Sequence, residues 1–176
     1  MKRSFTRIVV ALLLLAPLAA TGQALEREVK AAFLFKFLSF VEWPQGAFAR
    51  PDSPIALGVL GADEVLDELL RIVPGRVVQG RPITVRRLYY GEPASGLHLL
   101  FVGRAAGSAL PGYAEREGLL LVAEQPGALE QGAIINFVSV DGRVRFEVAA
   151  DAAERRGLRV SSRMLSVAEY VRGGKP

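Results

Sequence analysis

An aromatic stripe at helical spacing dominates the hydrophobic pattern after residue 24. Phe33, Phe37 and Phe40 fall at positions i, i+4 and i+7, which places them on one face of a helix. The pattern predicts a helix over Leu25–Trp43. Pro44 would end this helix, because the residue before a proline is disfavoured in the α region. We expect the aromatic stripe to face the core.

Farther along the chain, short apolar runs alternate with amphipathic stretches. The predicted elements are strands over Ile55–Leu60, Arg81–Tyr89, Leu97–Val102 and Leu119–Val122, and helices over Asp63–Val73 and Arg104–Arg116. Strands separated by helices indicate crossover connections and a largely parallel sheet. The pattern therefore predicts a single α/β domain, with a mixed, largely parallel sheet flanked by helices.

A C-terminal hairpin is predicted around Asp141-Gly142, a dipeptide typical of two-residue turns. Its strands would be Ala133–Val140 and Arg143–Val148. Pairing Val140 with Arg143 gives both strands one common apolar face and one common polar face. A central parallel strand would be apolar on both faces, so we expect an antiparallel hairpin at one edge of the sheet, with its polar face open.

Three short elements are predicted after the hairpin. Asp151–Arg156 would form a helical turn, Leu158–Val160 an extended segment and Ser161–Val171 a closing helix. Ser161 or Ser162 is the predicted N-cap of that last helix, because a serine hydroxyl accepts a hydrogen bond from the first turn.

The first 24 residues have the three regions of a secretory signal peptide. Residues 2–7 carry basic and no acidic side chains, residues 8–20 form an uncharged apolar run, and Ala24 ends a Gly-x-Ala sequence. The apolar run is about thirteen residues, against about twenty for a membrane span. We expect cleavage of residues 1–24, a periplasmic domain over residues 25–176, and no direct membrane insertion after cleavage.

Signal cleavage changes the charge of the protein. The full chain has a net charge of +4, but residues 25–176 carry 19 basic against 18 acidic side chains, which is +1. A nucleic-acid partner therefore has no electrostatic support. Residues 143–176 carry 8 basic and 4 acidic side chains, so the positive charge is concentrated in the C-terminal fifth.

Side chains with catalytic or ligand chemistry are few. The chain has no cysteine and a single histidine, His98, within an apolar strand pattern, so a zinc site of the usual composition is excluded. No nucleophile elbow, dinucleotide loop or phosphate-binding loop is present. We expect His98 to be structural, and we predict no catalytic residue, metal or cofactor.

Several segments, in order, resemble the YfiR family of periplasmic regulators. These segments are Ala31–Phe37, Phe40–Pro44, Ile55–Gly61, Gly80–Arg87, Ile134–Val138, Arg143–Val148 and Gly157–Leu165. The resemblance covers essentially the whole chain after residue 24. It departs in two respects. Ala149 stands where an asparagine commonly follows the Phe-Glu-Ile/Val strand. Family members also often carry cysteines, including one near Gly96–Leu100, and this chain has none. Disulfide-dependent redox sensing is therefore not expected.

The resemblance implies a non-enzymatic function. A YfiR-like protein would bind the periplasmic part of an inner-membrane signalling protein, a diguanylate cyclase, and hold it inactive. It would thereby act in cyclic-di-GMP signalling and biofilm regulation. The alternative is a small-ligand-binding periplasmic module that feeds a sensor kinase, for which a closed apolar pocket with convergent polar groups would be the evidence. The sequence also leaves open that the protein forms a homodimer.

Two candidate surfaces for binding a partner follow from these patterns. The first combines the polar face of the hairpin with the basic segment that follows it, because arginine is enriched in interface hot spots. Its residues are Asn136, Arg145, Glu147, Arg155, Arg156, Arg159 and Arg163. The second is a row of mixed polarity on the first helix, formed by Phe35, Ser39 and Glu42.

Overall fold

The structure, a computed structural model, describes residues 16–173 of the chain. The predicted basic segment of the signal peptide and most of its apolar run lie outside the described residues. The helices are α1 (Ala16–Phe40), α2 (Asp63–Ile72), α3 (Ala150–Arg155) and α4 (Ser162–Leu165), with a 3₁₀ helix over Arg104–Tyr113. The strands are β1 (Val41–Glu42), β2 (Ile55–Leu60), β3 (Val77–Val78), β4 (Arg81–Leu88), β5 (Leu99–Val102), β6 (Leu120–Ala123), β7 (Ile135–Val140), β8 (Arg143–Ala149), β9 (Arg159–Val160) and β10 (Tyr170–Arg172).

Eight of these strands form the main sheet, in the order β10-β8-β7-β6-β5-β2-β4-β3. Strands β4, β2, β5, β6 and β7 run parallel, whereas β8 is antiparallel to β7 and β3 is antiparallel to β4. The chain moves from β2 to β4 on one side and then to β5 on the other, which is the doubly wound order. The predicted fold class is confirmed.

The hairpin register is confirmed at every pair. Val140 lies opposite Arg143, and Phe137 lies opposite Phe146 on the apolar face. Asp141 and Gly142 have φ values of 51° and 70°, as a two-residue turn between twisted strands requires. One short strand, β10, lies outside the hairpin and pairs with β8.

The aromatic stripe of α1 faces the core, as predicted, and the structure shows that it packs on the apolar face of the hairpin. The ring centroid of Phe37 is 5.8 Å from that of Phe137 and 5.1 Å from that of Phe146. Phe33 contacts the same two rings, at 6.1 Å and 5.5 Å. Four aromatic rings therefore join the first helix to the last quarter of the chain.

The predicted end of the first helix was wrong. The helix ends at Phe40, not at Trp43, because Val41 and Glu42 leave it to pair with β9. The side-chain amide of Gln79 donates to the carbonyl oxygens of Leu38 and Val41, at 3.1 Å and 2.9 Å. These bonds provide partners for carbonyl groups at the end of the helix.

The predicted closing helix was also wrong over most of its length. Only Ser162–Leu165 is α-helical, and Tyr170–Arg172 forms β10. The free edge of β8 accounts for this difference, since the Glu169 N–H donates to the carbonyl of Phe146 at 2.8 Å just before β10 begins. Ser161 is the N-cap of α4, and its hydroxyl accepts from the Met164 N–H at 3.3 Å.

His98 connects the loop that follows α1 to the amino end of the sheet through hydrogen bonds. Its Nδ1 accepts from the Ala56 N–H at 3.0 Å, and its Nε2 lies 3.0 Å from the carbonyl oxygen of Ala47, to which it must donate. The imidazole stacks on Phe48 at 4.3 Å, and the indole N–H of Trp43 donates to the His98 carbonyl at 3.3 Å. One neutral tautomer satisfies both ring nitrogens.

Candidate partner-binding surface

At the carboxyl ends of β2 and β5, where doubly wound sheets commonly bind ligands, two glycine turns pack closely together. Gly61 follows β2 and Gly103 follows β5. A Cβ at Gly103 would collide with the Gly61 carbonyl, and one at Gly61 would collide with Ala106 of the 3₁₀ helix. The two turns therefore pack closely against each other, and the openings lie beside them, next to Ala62 and next to Arg104.

The polar face of the hairpin is only partly exposed. Asn136 is buried, its Oδ1 accepting from the Gln125 N–H at 3.1 Å and its Nδ2 donating to Glu147 at 3.3 Å. The expectation of an open face was wrong for Asn136, because the loop after β6 covers it. Glu147 is half-buried and Arg145 is exposed.

Arg155 and Arg156 at the end of α3 have partners within the protein. Arg155 forms an ion pair with Asp151 at 2.8 Å. Arg156 is buried, and its guanidinium donates to the carbonyl of Gly132, while burial lowers its pKa. The expected exposure of Arg156 was therefore wrong, since its side chain turns inward to hold the loop before β7.

Arg159 joins the two candidate surfaces. Its guanidinium lies 2.6 Å from the carboxylate of Glu42, and both side chains are exposed. The ion pair links β9 to β1, next to the end of α1. Arg163 is exposed on α4.

The two other residues of the mixed row lie along α1. Phe35 is half-buried beneath the guanidinium of Arg76, 5.1 Å from the ring centroid, and Ser39 is exposed. The structure thus distributes the ten candidate residues over three places: the hairpin, the end of α3, and the contact between β1 and β9 with its neighbours on α1 and α4.

A groove of about 800 Å³ separates the hairpin from the part of α1 between Gly22 and Phe33. It exists because β6 ends at Ala123, opposite Asn136, whereas β7 continues for four more residues. Its wall includes Arg145 and Glu147, together with Arg104 and Arg143, which the sequence analysis did not select. Arg143 could have been found, because it shares a face with Arg145 in the predicted register.

A half-buried lysine closes the inner end of this groove. Lys30 of α1 forms ion pairs with Glu26, at 2.5 Å, and with Glu124 after β6. Burial alone would lower the pKa of Lys30, but the hydrogen bonds with Glu124 and Glu26 outweigh it and raise that pKa above 10.5. Glu124 also accepts from the Arg104 N–H at 3.0 Å. The one ammonium and two carboxylates leave this cluster with a net charge of −1, and their contacts fix α1 to the sheet.

Two features are absent from residues 16–173. Within that range, no helix has the length and apolar character needed to cross a membrane. The same residues contain no cluster of three or more His, Cys, Asp or Glu side chains placed to hold a metal ion.

The fold and its surface define a doubly wound α/β domain with open, charged grooves, a class suited to binding. A family model described as YfiR/HmsC-like matches residues 27–169, so the chain belongs to that family. The resemblance found in the sequence is thereby confirmed. Among curated proteins, no significant match was found.

Proposed function

We propose that this protein is a non-enzymatic periplasmic regulator, which binds the periplasmic part of a membrane-anchored diguanylate cyclase and holds the cyclase inactive. Membership of the YfiR/HmsC-like family, over residues 27–169, carries the proposal. The open grooves support it over the small-ligand alternative, because the larger cavities among the described residues are not the enclosed apolar pockets typical of such sites.

Export by a cleavable signal peptide is part of this proposal. Cleavage after Ala24 would leave α1 starting at Leu25, with Glu26 and Glu28 in its first turn. Carboxylates in a first turn interact favourably with the helix dipole, so they would stabilise the new N-terminal turn of the shortened helix. The matched family region starts at residue 27, just beyond the proposed cleavage site.

We expect the protein recovered from the periplasm to begin at Leu25. Intact-mass measurement and N-terminal sequencing after osmotic release would check this. Ala24→Arg, which places a large charged side chain at the cleavage position, should accumulate unprocessed in the membrane fraction. A wild-type chain that keeps Met1 and stays with the membranes would contradict the proposal.

Binding of the cyclase should depend on the exposed arginines of the two separate surfaces. Arg145 projects from the hairpin without an acidic partner in the described part of the chain, whereas Arg159 is paired with Glu42. We expect Arg145→Glu to weaken the complex by about tenfold or more, as loss of an interface arginine commonly does. Raised salt should weaken the wild-type complex too, because it screens exposed charges.

The measurement is cyclic-di-GMP reporter output in a strain that expresses the full chain. Arg145→Glu and Arg159→Glu should each raise the output, while Arg50→Glu, an exposed change in the loop after α1, should not. Melting temperatures would show that each variant is folded. Unchanged repression in both surface variants would exclude these surfaces, and Phe35 and Ser39 would be tested next.

A further inference from the structure

Four residues of β7 have a strand on only one side. Phe137–Val140 pair with β8, but β6 has already ended opposite Asn136. In the described residues, the pairing of β6 with β7 stops at Ala123 with Asn136. The stretch is therefore a free strand edge along one side of the groove.

Hairpin geometry indicates which backbone groups face the groove. In a two-residue hairpin the closing pair, here Val140 with Arg143, is hydrogen-bonded, and bonded pairs then alternate with non-bonded ones. Val138 and Val140 thus direct their N–H and C=O groups at β8. Ser139 directs its N–H and C=O groups away from β8, into the groove, and its side chain is exposed.

The two sides of this edge differ in chemistry. On the side of α1, the groove is lined by Leu25, Val29 and Phe33, and Leu25 is 62 % exposed. On the opposite face of the hairpin stand Arg143 and Arg145, both exposed. Apolar side chains thus flank one face of the edge, and basic side chains flank the other.

The basic side chains are free to meet a ligand. Arg104, Arg143 and Arg145 all line the groove, and none has an acidic partner within 4.0 Å in the described residues. Lys30, by contrast, is neutralised by two glutamates. The lining also includes three carboxylates, of which Glu26 and Glu124 pair with Lys30 and Glu147 accepts from Asn136. The three arginines are left without such partners, so charge complementarity along the outer part of the groove favours an acidic occupant.

We propose that the groove binds an extended acidic peptide segment of the partner, which adds a strand to β7 beside Ser139. Strand addition gives affinity through main-chain hydrogen bonds and specificity through alternate side chains. Successive side chains of the added strand would point alternately to α1 and to the arginines. The segment would therefore alternate apolar and acidic residues.

The distances allow this arrangement. Neighbouring strands lie about 4.8 Å apart, so an added strand would lie about 10 Å from the backbone of β8. An extended arginine and a glutamate together span that distance. The identity of the partner as a cyclase rests on the proposed function, but the chemistry of the occupant does not.

Hydrogen exchange on the unaltered protein tests the inference directly. The probe is a capped ten-residue peptide that alternates valine and glutamate, added to protein purified from the periplasm of cells that express the full chain. We expect the Ser139 amide to exchange at least tenfold more slowly with the peptide, because it gains a partner. The Val138 amide, already bonded to β8, is the internal control and should change little.

Variants separate the backbone contact from the charges. In fluorescence anisotropy, Ser139→Pro, which removes the N–H, should weaken binding of the labelled peptide at least tenfold, while Ser139→Ala should not. Arg145→Glu should weaken it similarly, and a valine–lysine peptide should not bind. Equal binding of both peptides, or an unchanged Ser139 exchange rate, would overturn the inference.

The reporter strain distinguishes failure of this inference from failure of the proposed function. If the wild type represses the cyclase and Ser139→Pro represses equally well while folded, the groove is not the receptor site, and the proposed function stands. If the wild type does not repress the cyclase, the proposed function fails. The peptide-binding measurements then still test whether the groove binds an extended acidic segment.

Discussion

Phe37→Ala is expected to lower the free energy of unfolding by about 3–5 kcal/mol, the usual cost of deleting a buried phenylalanine ring. Phe37 is only 2 % exposed, and it lies at the centre of the ring cluster that joins α1 to the hairpin. Its loss would leave a cavity among rings that the backbone holds in place. Equilibrium unfolding in urea, followed by circular dichroism, would measure the change.

The matched control is Phe35→Ala on the outward side of the same helix. Phe35 is half-buried and contacts Arg76, so its truncation should cost less than about 2 kcal/mol. Both changes remove the same atoms from one helix, and helix propensity cannot account for a difference between them. Equal losses of stability would contradict the assignment of Phe37 to the core.

The second large effect is expected at His98. His98→Leu should cost about 2–4 kcal/mol, because the Ala56 N–H and the Ala47 carbonyl would each lose a partner, at about 1–3 kcal/mol for a buried group. His98→Gln keeps one donor and one acceptor and should cost less. Urea unfolding at pH 7.5 would compare the free energies of unfolding of the two variants. A His98→Leu variant as stable as wild type would contradict a stabilising role for the hydrogen bonds of His98.

His98 should also make stability depend on pH. Burial lowers its pKa below the ordinary 6.5, the hydrogen bond with Ala47 opposes this shift, and Arg81 and Arg116 reinforce it. Since the folded state keeps the imidazole neutral, its contribution is fully present above pH 6.5 and is lost as pH falls through the lower folded-state pKa. Between pH 7.5 and 5, wild type should therefore lose more stability than His98→Gln.

Local periodicity sufficed to predict the elements whose partners lie nearby. The hairpin register followed from Asp141-Gly142 and from alternation on either side of it, and every pair was confirmed. The ends of α1 and α4 were not predictable in this way. Val41 leaves α1 for a partner at Val160, and Tyr170 joins a sheet edge formed by β8. The local sequence at the end of each helix does not indicate these distant pairing partners.

The candidate site shows the same limit. Arg145 was selected from the hairpin pattern, and the structure leaves it exposed, but Asn136 on the same face is buried under the loop that begins at Gln125. The groove itself depends on β6 being shorter than β7, a relation between two strands that no single pattern contains. Its unpaired arginines could be recognised only once the ion pairs of their neighbours were known.

The aromatic contact between α1 and the hairpin bears on the proposed export of the chain. Phe37 contacts Phe137 and Phe146, and β1 pairs with β9. The first helix can therefore form these contacts only when the last quarter of the chain is available. Contacts of such long sequence separation slow folding. If the chain is exported N-terminus first, as proposed, the part that has crossed the membrane cannot complete these contacts until residues 137–160 have followed.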